Sequence, residues 1–190
     1  MQKYDAHWFF KEYKNKINEK EYMWAYKNNK VFTEIVTKAI NDIIEEKTDL
    51  QSQNEYFRID VSAYRSRTDD FKSQYSGEMN IYLWDMMIAV EHENDLKDWL
   101  YEISKLTHIR CPLKVVISYN RYDERETDMD KLKHASAVLQ ASSTYKSMEN
   151  DDEEWLVLLG NCRSKDSEYS LFDYRGYLYS FGEREFVQIT

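Results

Sequence analysis

Two apolar runs with one amphipathic helix between them restrict this chain more than any other feature. The first run, Ile81 to Glu93, reads as a strand, bent near Asp85. The second, Leu113-Lys114-Val115-Val116-Ile117-Ser118-Tyr119, is a near-continuous apolar strand, the type found inside a sheet covered on both faces. Between them, Leu96, Trp99, Leu100, Ile103 and Leu106 recur at helical spacing over residues 95–107. Asn94 or Asp95 supplies the N-cap, and Cys111-Pro112 punctuates the return. A strand, a helix and a strand in this order form a right-handed parallel crossover. The expected class is therefore α/β.

The remaining segments fit around that unit. Phe32, Ile35, Val36, Ala39, Ile40, Ile43 and Ile44 keep helical periodicity through residues 31–46. The polar run Lys47 to Asn54 ends that helix as a loop. Residues 55–65 switch to period two, with Phe57, Ile59, Val61 and Ala63 on one face and Arg58, Asp60, Ser62 and Tyr64 on the other. The polar run Arg65 to Asn80 reads as a long connection. Thr127 and Asp130 resemble a capping box, followed by a helical stripe of Met129, Leu132, Ala135, Val138, Leu139 and Tyr145. Trp155 to Leu159 is a further strand. Short strands are expected at 169–172, 177–181 and 186–189, around turns at Gly176 and Gly182. Residues 4–26 are rich in aromatic rings and lysines and read as one or two helices. Their rings suit either packing onto the domain or stacking on nucleic-acid bases, and burial is the commoner use.

Length and composition narrow the class. With 190 residues, 42% hydrophobic and only four Gly and one Pro, the chain suits one domain with a real core. We divide it into a helical extension (1–30), a core (31–119), and a helix with C-terminal strands (120–190). No apolar run is long enough to span a bilayer, and Met1 to Asp5 does not lead into a signal peptide. Cys111 and Cys162 form no CxxC pair, which argues against a disulfide framework or a cysteine-ligated zinc and makes a cytoplasmic location the simplest expectation. A net charge of -9 argues against coating nucleic acid by charge alone. It leaves room for an enzyme whose acids are balanced by a metal.

Acidic side chains on an otherwise apolar strand are the candidates for chemistry. Glu91 and Glu93 share a strand face with Ala89, opposite Ile88, Val90 and His92. Asp60 lies on the polar face of the preceding strand and can approach Glu91 if the two strands pair antiparallel. Two or three converging carboxylates suit a hard ion such as Mg²⁺, or Mn²⁺ in its place. Such an ion orients water and stabilises a charged phosphate. The alternatives are an Asp60 paired with Arg58 or Arg65, and Glu91 and Glu93 facing solvent. His92 reads as a packed histidine rather than a ligand, and His7, His108 and His134 show no metal spacing. Neither a P-loop, a GxSxG nor an HExxH signature is present.

Phe57-Arg58-Ile59-Asp60-Val61, Ala89-Val90-Glu91-His92-Glu93-Asn94 and Leu113-Lys114-Val115-Val116-Ile117, in this order, resemble the core of the PD-(D/E)XK nuclease superfamily over about residues 31–119. The resemblance implies a restriction-endonuclease-like mixed central sheet flanked by helices, and Mg²⁺-dependent hydrolysis of DNA. It implies metal-binding roles for Asp60 and Glu91, and puts Glu93 where the family usually has lysine. No proline precedes Asp60; Ile59 stands there. Glu93 can ligate metal or accept a proton but supplies no positive charge, so a basic residue must come from elsewhere. Lys114 is a candidate, although its place also suits a strand-end surface lysine. Arg58, Arg65 and Arg67 are candidates for substrate contact, and Glu34 or Glu45 for a distant ligand. The competing expectation is a catalytically inactive protein of the same fold that binds a protein partner or a second copy, using its sixteen tyrosines for recognition.

Overall fold

The structure, a computed structural model, describes residues 4–17, 24–25, 28–67, 83–94, 98–120, 126–142, 153–161 and 173–190. Its centre is a mixed sheet of seven strands in sequence order: β1 (Gln51–Tyr56), β2 (Ile59–Ser66), β3 (Trp84–His92), β4 (Leu113–Asn120), β5 (Glu154–Asn161), β6 (Arg175–Ser180) and β7 (Glu185–Ile189). The three middle strands are parallel, and the pairs on either side are antiparallel. Four helices are described: α1 (Ala6–Lys16), α2 (Asn29–Lys47), α3 (Trp99–Leu106) and α4 (Glu126–Ala141). The α/β class and the parallel β3–α3–β4 crossover match the expectation, and β4–α4–β5 repeats the crossover. Among the described residues no helix is long and apolar enough to cross a membrane.

Period-two alternation on β3, β4 and β5 sends side chains to both faces, and each face has its own core. Val90, Val115, Ile117 and Leu158 pack under α1 and α2, which contribute Phe9, Phe32, Val36, Ile40 and Ile44. Ala89, Val116, Trp155 and Val157 pack under α3 and α4, which contribute Trp99, Ile103, Leu132 and Leu139. Burying each large side chain contributes about 1.5–3 kcal/mol. Asp5 caps α1 through the Trp8 N–H (2.9 Å), and Asn28 caps α2 through the Lys30 N–H (3.0 Å). The buried rings of Phe9, Phe10 and Tyr13 bear out packing as the role of the N-terminal aromatics in α1. That helix sits across the far half of the sheet. The Ala6 N–H donates to Glu154 Oε2 (2.6 Å), and the Tyr13 ring meets Tyr174 edge-on.

Several boundaries differ from expectation. The single strand expected at 55–65 is a hairpin, because Phe57 and Arg58 both take positive φ (52° and 61°) and turn the chain without glycine or asparagine. The expected loop at 47–54 becomes β1, a polar edge strand with no buried face to mark it. Asn94 is not a helix cap; its amide donates to Thr33 Oγ1 (2.8 Å), and Asp98 occupies the N-cap position of α3 without a side-chain bond. Met129 is 49% exposed and leaves the α4 stripe to Leu132, Ala135 and Leu139. Gly176 lies within β6 rather than at a turn. The expected strand at 169–172, the connection at 68–80, Asp95, Leu96 and Tyr145 lie outside the described residues.

One glycine is fixed by close approach. A Cβ on Gly160 would come within 2.9 Å of ring atoms of both Tyr119 and Tyr174. Those rings are joined hydroxyl to hydroxyl at 3.0 Å. Gly160→Ala is therefore expected to cost about 1–3 kcal/mol, the range for overpacking a filled core. Urea denaturation reads this directly, and an unchanged midpoint would mean that the rings give way freely.

Candidate metal centre

The polar residues gather where β3, β4 and β5 end, which is also where the antiparallel β2 and β6 begin. In open α/β sheets the carboxyl ends of parallel strands are the usual place for ligands. The pairing Val61↔Val90 places Asp60 beside Glu91, as the antiparallel register requires. Asp60 Oδ2 accepts the His92 backbone N–H at 2.7 Å, so this side chain joins β2 to β3. Glu91 is 1% exposed, which excludes the solvent-facing alternative. The pairing of Asp60 with Arg65 does not form; Arg65 is held by Asp49 at 3.1 Å.

A cation reaches this cluster from the helix layer. Trp99, Ile103 and Leu106 bury the inner face of α3, and Glu102 and Lys105 lie one turn apart on its flank. Lys105 Nζ lies 2.8 Å from Glu91 Oε1, contacts Glu102 Oε2 still more closely, and donates to Arg58 O at 2.8 Å. Two carboxylates thus touch the ammonium, and a third, Asp60, acts on it at longer range. When all are ionised the cluster carries two negative charges in excess, and its electrostatics reflect that. Burial raises the Glu91 carboxyl well above the usual range, with Asp60 and Glu102 adding to the rise against the pull of Lys105. Burial also raises Asp60, only partly offset by the His92 N–H and Lys105. Burial pulls Lys105 down, but its contacts with Glu102 and Glu91 outweigh this and its pKa is raised. The site calls for more positive charge than it contains.

The donor set fits a hard divalent ion. Glu91 Oε1 and Glu102 Oε2 already face Lys105, while the Ser62 hydroxyl, two residues from Asp60 on the same strand, is buried without a hydrogen-bond partner among the described residues. Among the described residues no group of three or more Asp, Glu, His or Cys is arranged as a ready cage. Mg²⁺ needs none, since it keeps several waters and is bound through one or two carboxylates. Asp60 and Glu91 are the pair that would hold it.

The other expected site residues scatter. Glu93 follows the end of β3, half-buried, and its N–H donates to Ile117 O (2.9 Å). The parallel register ends one residue before it, at His92↔Ile117. Arg58 is exposed at the hairpin tip, where its carbonyl holds Lys105. Arg65 and Arg67 lie toward the opposite end of β2, about 17 Å or more from Asp60, paired with Asp49 and Asp85. Lys114 is a correction. It is 1% exposed, pairs with Glu153 at 2.6 Å, and lies over the Trp155 ring, so neither a surface position nor a substrate contact fits it. Glu34 pairs with Lys30 and Glu45 with Ser52, both on the outside of α2.

Two features escaped the sequence. Lys105 was hidden because an acid and a lysine three apart look like an ordinary helix-surface pair. The second is a polar knot around Asp128, which accepts from Arg175 (2.5 and 3.0 Å), Tyr177 (2.8 Å) and Asn120. Next to it a cavity of about 840 Å³ is lined by Phe10, Lys14, Asn161 and Tyr174 among others. The cavity lies at the β6–β7 end, away from Glu91. Its one strongly placed cation, Arg175, is already neutralised by Asp128.

His92, on the opposite face from Glu91, is the packed histidine expected. Its Nε2 meets Tyr119 Oη at 2.8 Å, and burial lowers its pKa to about 3. The folded chain holds it neutral, while the unfolded chain takes up a proton as pH falls below the ordinary value of 6.5. The stability it contributes is therefore present above that pH and lost as pH falls toward the folded value. Acidification from pH of about 6.5 to about 4.5 is expected to remove about 2–3 kcal/mol through this residue. Denaturant titrations of wild type and His92→Gln should show the variant losing that much less over the same range. Equal losses would locate the acid sensitivity elsewhere.

Comparison of the chain with protein-family models, with curated proteins and with solved structures found no match.

Proposed function

We propose that this chain is a Mg²⁺-dependent nuclease-like hydrolase of DNA phosphodiester bonds, with the restriction-endonuclease-like arrangement that its strand order resembles. The observation that carries the reading is the pairing of a half-buried carboxylate, Asp60, with a buried one, Glu91, at the carboxyl end of a parallel strand, in a cluster where carboxylates outnumber the lysine. A bound divalent ion would supply Lewis-acid activation of water and charge stabilisation at the phosphate. Asp60 and Glu91 would hold it from adjacent strands. Glu93, two residues beyond Glu91, would take the proton from the attacking water. The water oxygen bonds to phosphorus, the bond to the leaving oxygen breaks, and that oxygen takes a proton from solvent. Lys105 supplies the positive charge that Glu93 does not, and Arg58 stands at the rim.

A second reading draws on the same lysine. An ammonium already among the carboxylates suits a catalytically inactive protein of this fold, working as a binding or regulatory module for a protein partner. The tyrosines give that reading little support, since Tyr174, Tyr177 and Tyr179 are buried.

The experiment is cleavage of supercoiled and linear DNA with Mg²⁺ or Mn²⁺, wild type beside Glu91→Gln. Wild type is expected to cleave, and the variant to lose roughly 100-fold or more, the effect of removing a ligand that contributes several kcal/mol. The stabilisation of the variant by metal is expected to vanish. Absence of cleavage of any nucleic acid, with no metal-dependent rise in melting temperature, would favour the binding module.

A further inference from the structure

The three contacts of the Lys105 ammonium are not equivalent. The bond to Arg58 O is aligned, at 2.8 Å. Glu91 Oε1, at 2.8 Å, and Glu102 Oε2 make charge-assisted contacts with it. An ammonium has three N–H groups and no acceptor, so one faces a hairpin carbonyl and two face carboxylates. Glu102 is on the same helix, one turn away, and moves with it. Glu91 is on the sheet and is the contact that can be exchanged.

Charge balance says when the exchange occurs. With all three carboxylates ionised, as a bound divalent ion would favour, Asp60, Glu91 and Glu102 exceed Lys105 by two negative charges, so the ion brings the cluster to neutrality only if Lys105 stays. Both cations are then present. The ion takes the two strand carboxylates, and the lysine keeps its helix partner and the Arg58 carbonyl. Glu91 cannot serve both fully, because two cations on one carboxylate repel each other. We propose that Lys105 is a built-in counter-cation that competes with the divalent ion for Glu91 and, once displaced, offers its freed N–H to a substrate phosphate, so that metal and phosphodiester bind cooperatively. This rests on the reading of Asp60 and Glu91 as the cation ligands.

The arrangement also explains the hairpin. Arg58 takes positive φ, as do Phe57 and Glu55 beside it, and none is a glycine. Such backbone is costly and persists where surrounding structure holds it. Here the Lys105 bond to the Arg58 carbonyl holds the turn. It keeps the anchor in place while the carboxylate contact changes, and it keeps the Arg58 side chain at the rim toward which the freed N–H would turn.

The test uses the full chain, wild type and Lys105→Met. Calorimetric titration with Mn²⁺ alone is expected to give a dissociation constant at least ~5-fold lower for the variant, since its internal competitor is gone; couplings of this size are typical between linked sites. A dithymidine with a phosphorothioate link, which resists cleavage, is expected to bind wild type more tightly when Mn²⁺ is present and to lose that gain in the variant. Unchanged or weaker Mn²⁺ affinity in Lys105→Met overturns the proposal, as does failure of Mn²⁺ to bind either protein. If the variant does not fold, the wild type decides. The ¹⁵N–¹H signal of the Lys105 ammonium should shift and exchange faster on saturation with Mg²⁺, and an unmoved signal overturns the proposal. Cleavage is read separately. Active protein with no Lys105 effect removes this inference alone, whereas a clear Lys105 effect without cleavage of any nucleic acid removes the nuclease reading alone.

Discussion

Glu91 stands on a central strand, with β2 on one side and β4 on the other, and almost no water reaches it. An ionised carboxylate in such a place costs several kcal/mol unless positive charge accompanies it. The surrounding structure answers that demand in part. The Asp60 carboxylate is turned to the His92 backbone N–H, and α3 is set so that Lys105 reaches across from the helix layer. The same lysine ties down the β1–β2 hairpin. The position of one strand carboxylate thus governs a helix flank, a turn and the join between two strands.

The opposite face of β3 treats a titratable group in the other way. His92 is buried too, but no acid among the described residues pairs with it, and it gives up its charge instead. Its ring joins Tyr119, and Tyr119 joins Tyr174, a hydroxyl-linked line across the sheet that Phe32 covers. One strand therefore carries an electrically demanding residue and an electrically silent one in succession. The sheet separates them, so the chemistry on the α3 side is insulated from the packing on the α2 side.

How much of this was legible follows from the range of each interaction. The parallel crossover could be read from Leu113 to Tyr119 and from the α3 stripe, because burial on both faces leaves an apolar run. The approach of Asp60 to Glu91 could be read because strand parity and an antiparallel register determine it. β1 could not, since an edge strand with both faces wet has no apolar alternation, and Phe57 and Arg58 are not turn residues by type. Lys105 could not, because its partners lie across a layer boundary that no local period reports. Lys114 misled for the same reason. Its partner Glu153 lies in a run of acidic residues with no apolar pattern, yet it meets a Lys114 that is buried against Trp155.

Sequential strand order leaves each β-strand next to the one made before it. Helix α1 breaks that locality. Its first N–H is received by Glu154, and its rings lie against Tyr174 and Gly176, near the far end of the chain. During synthesis α1 can meet α2, where Lys16 pairs with Asp42 and Glu46, but its contacts with the sheet wait until β5 and β6 have emerged. Its docking then clasps the earliest segment onto the last part of the sheet, so that a chain cut short before residue 150 would hold every carboxylate of the candidate site and still lack its clasp.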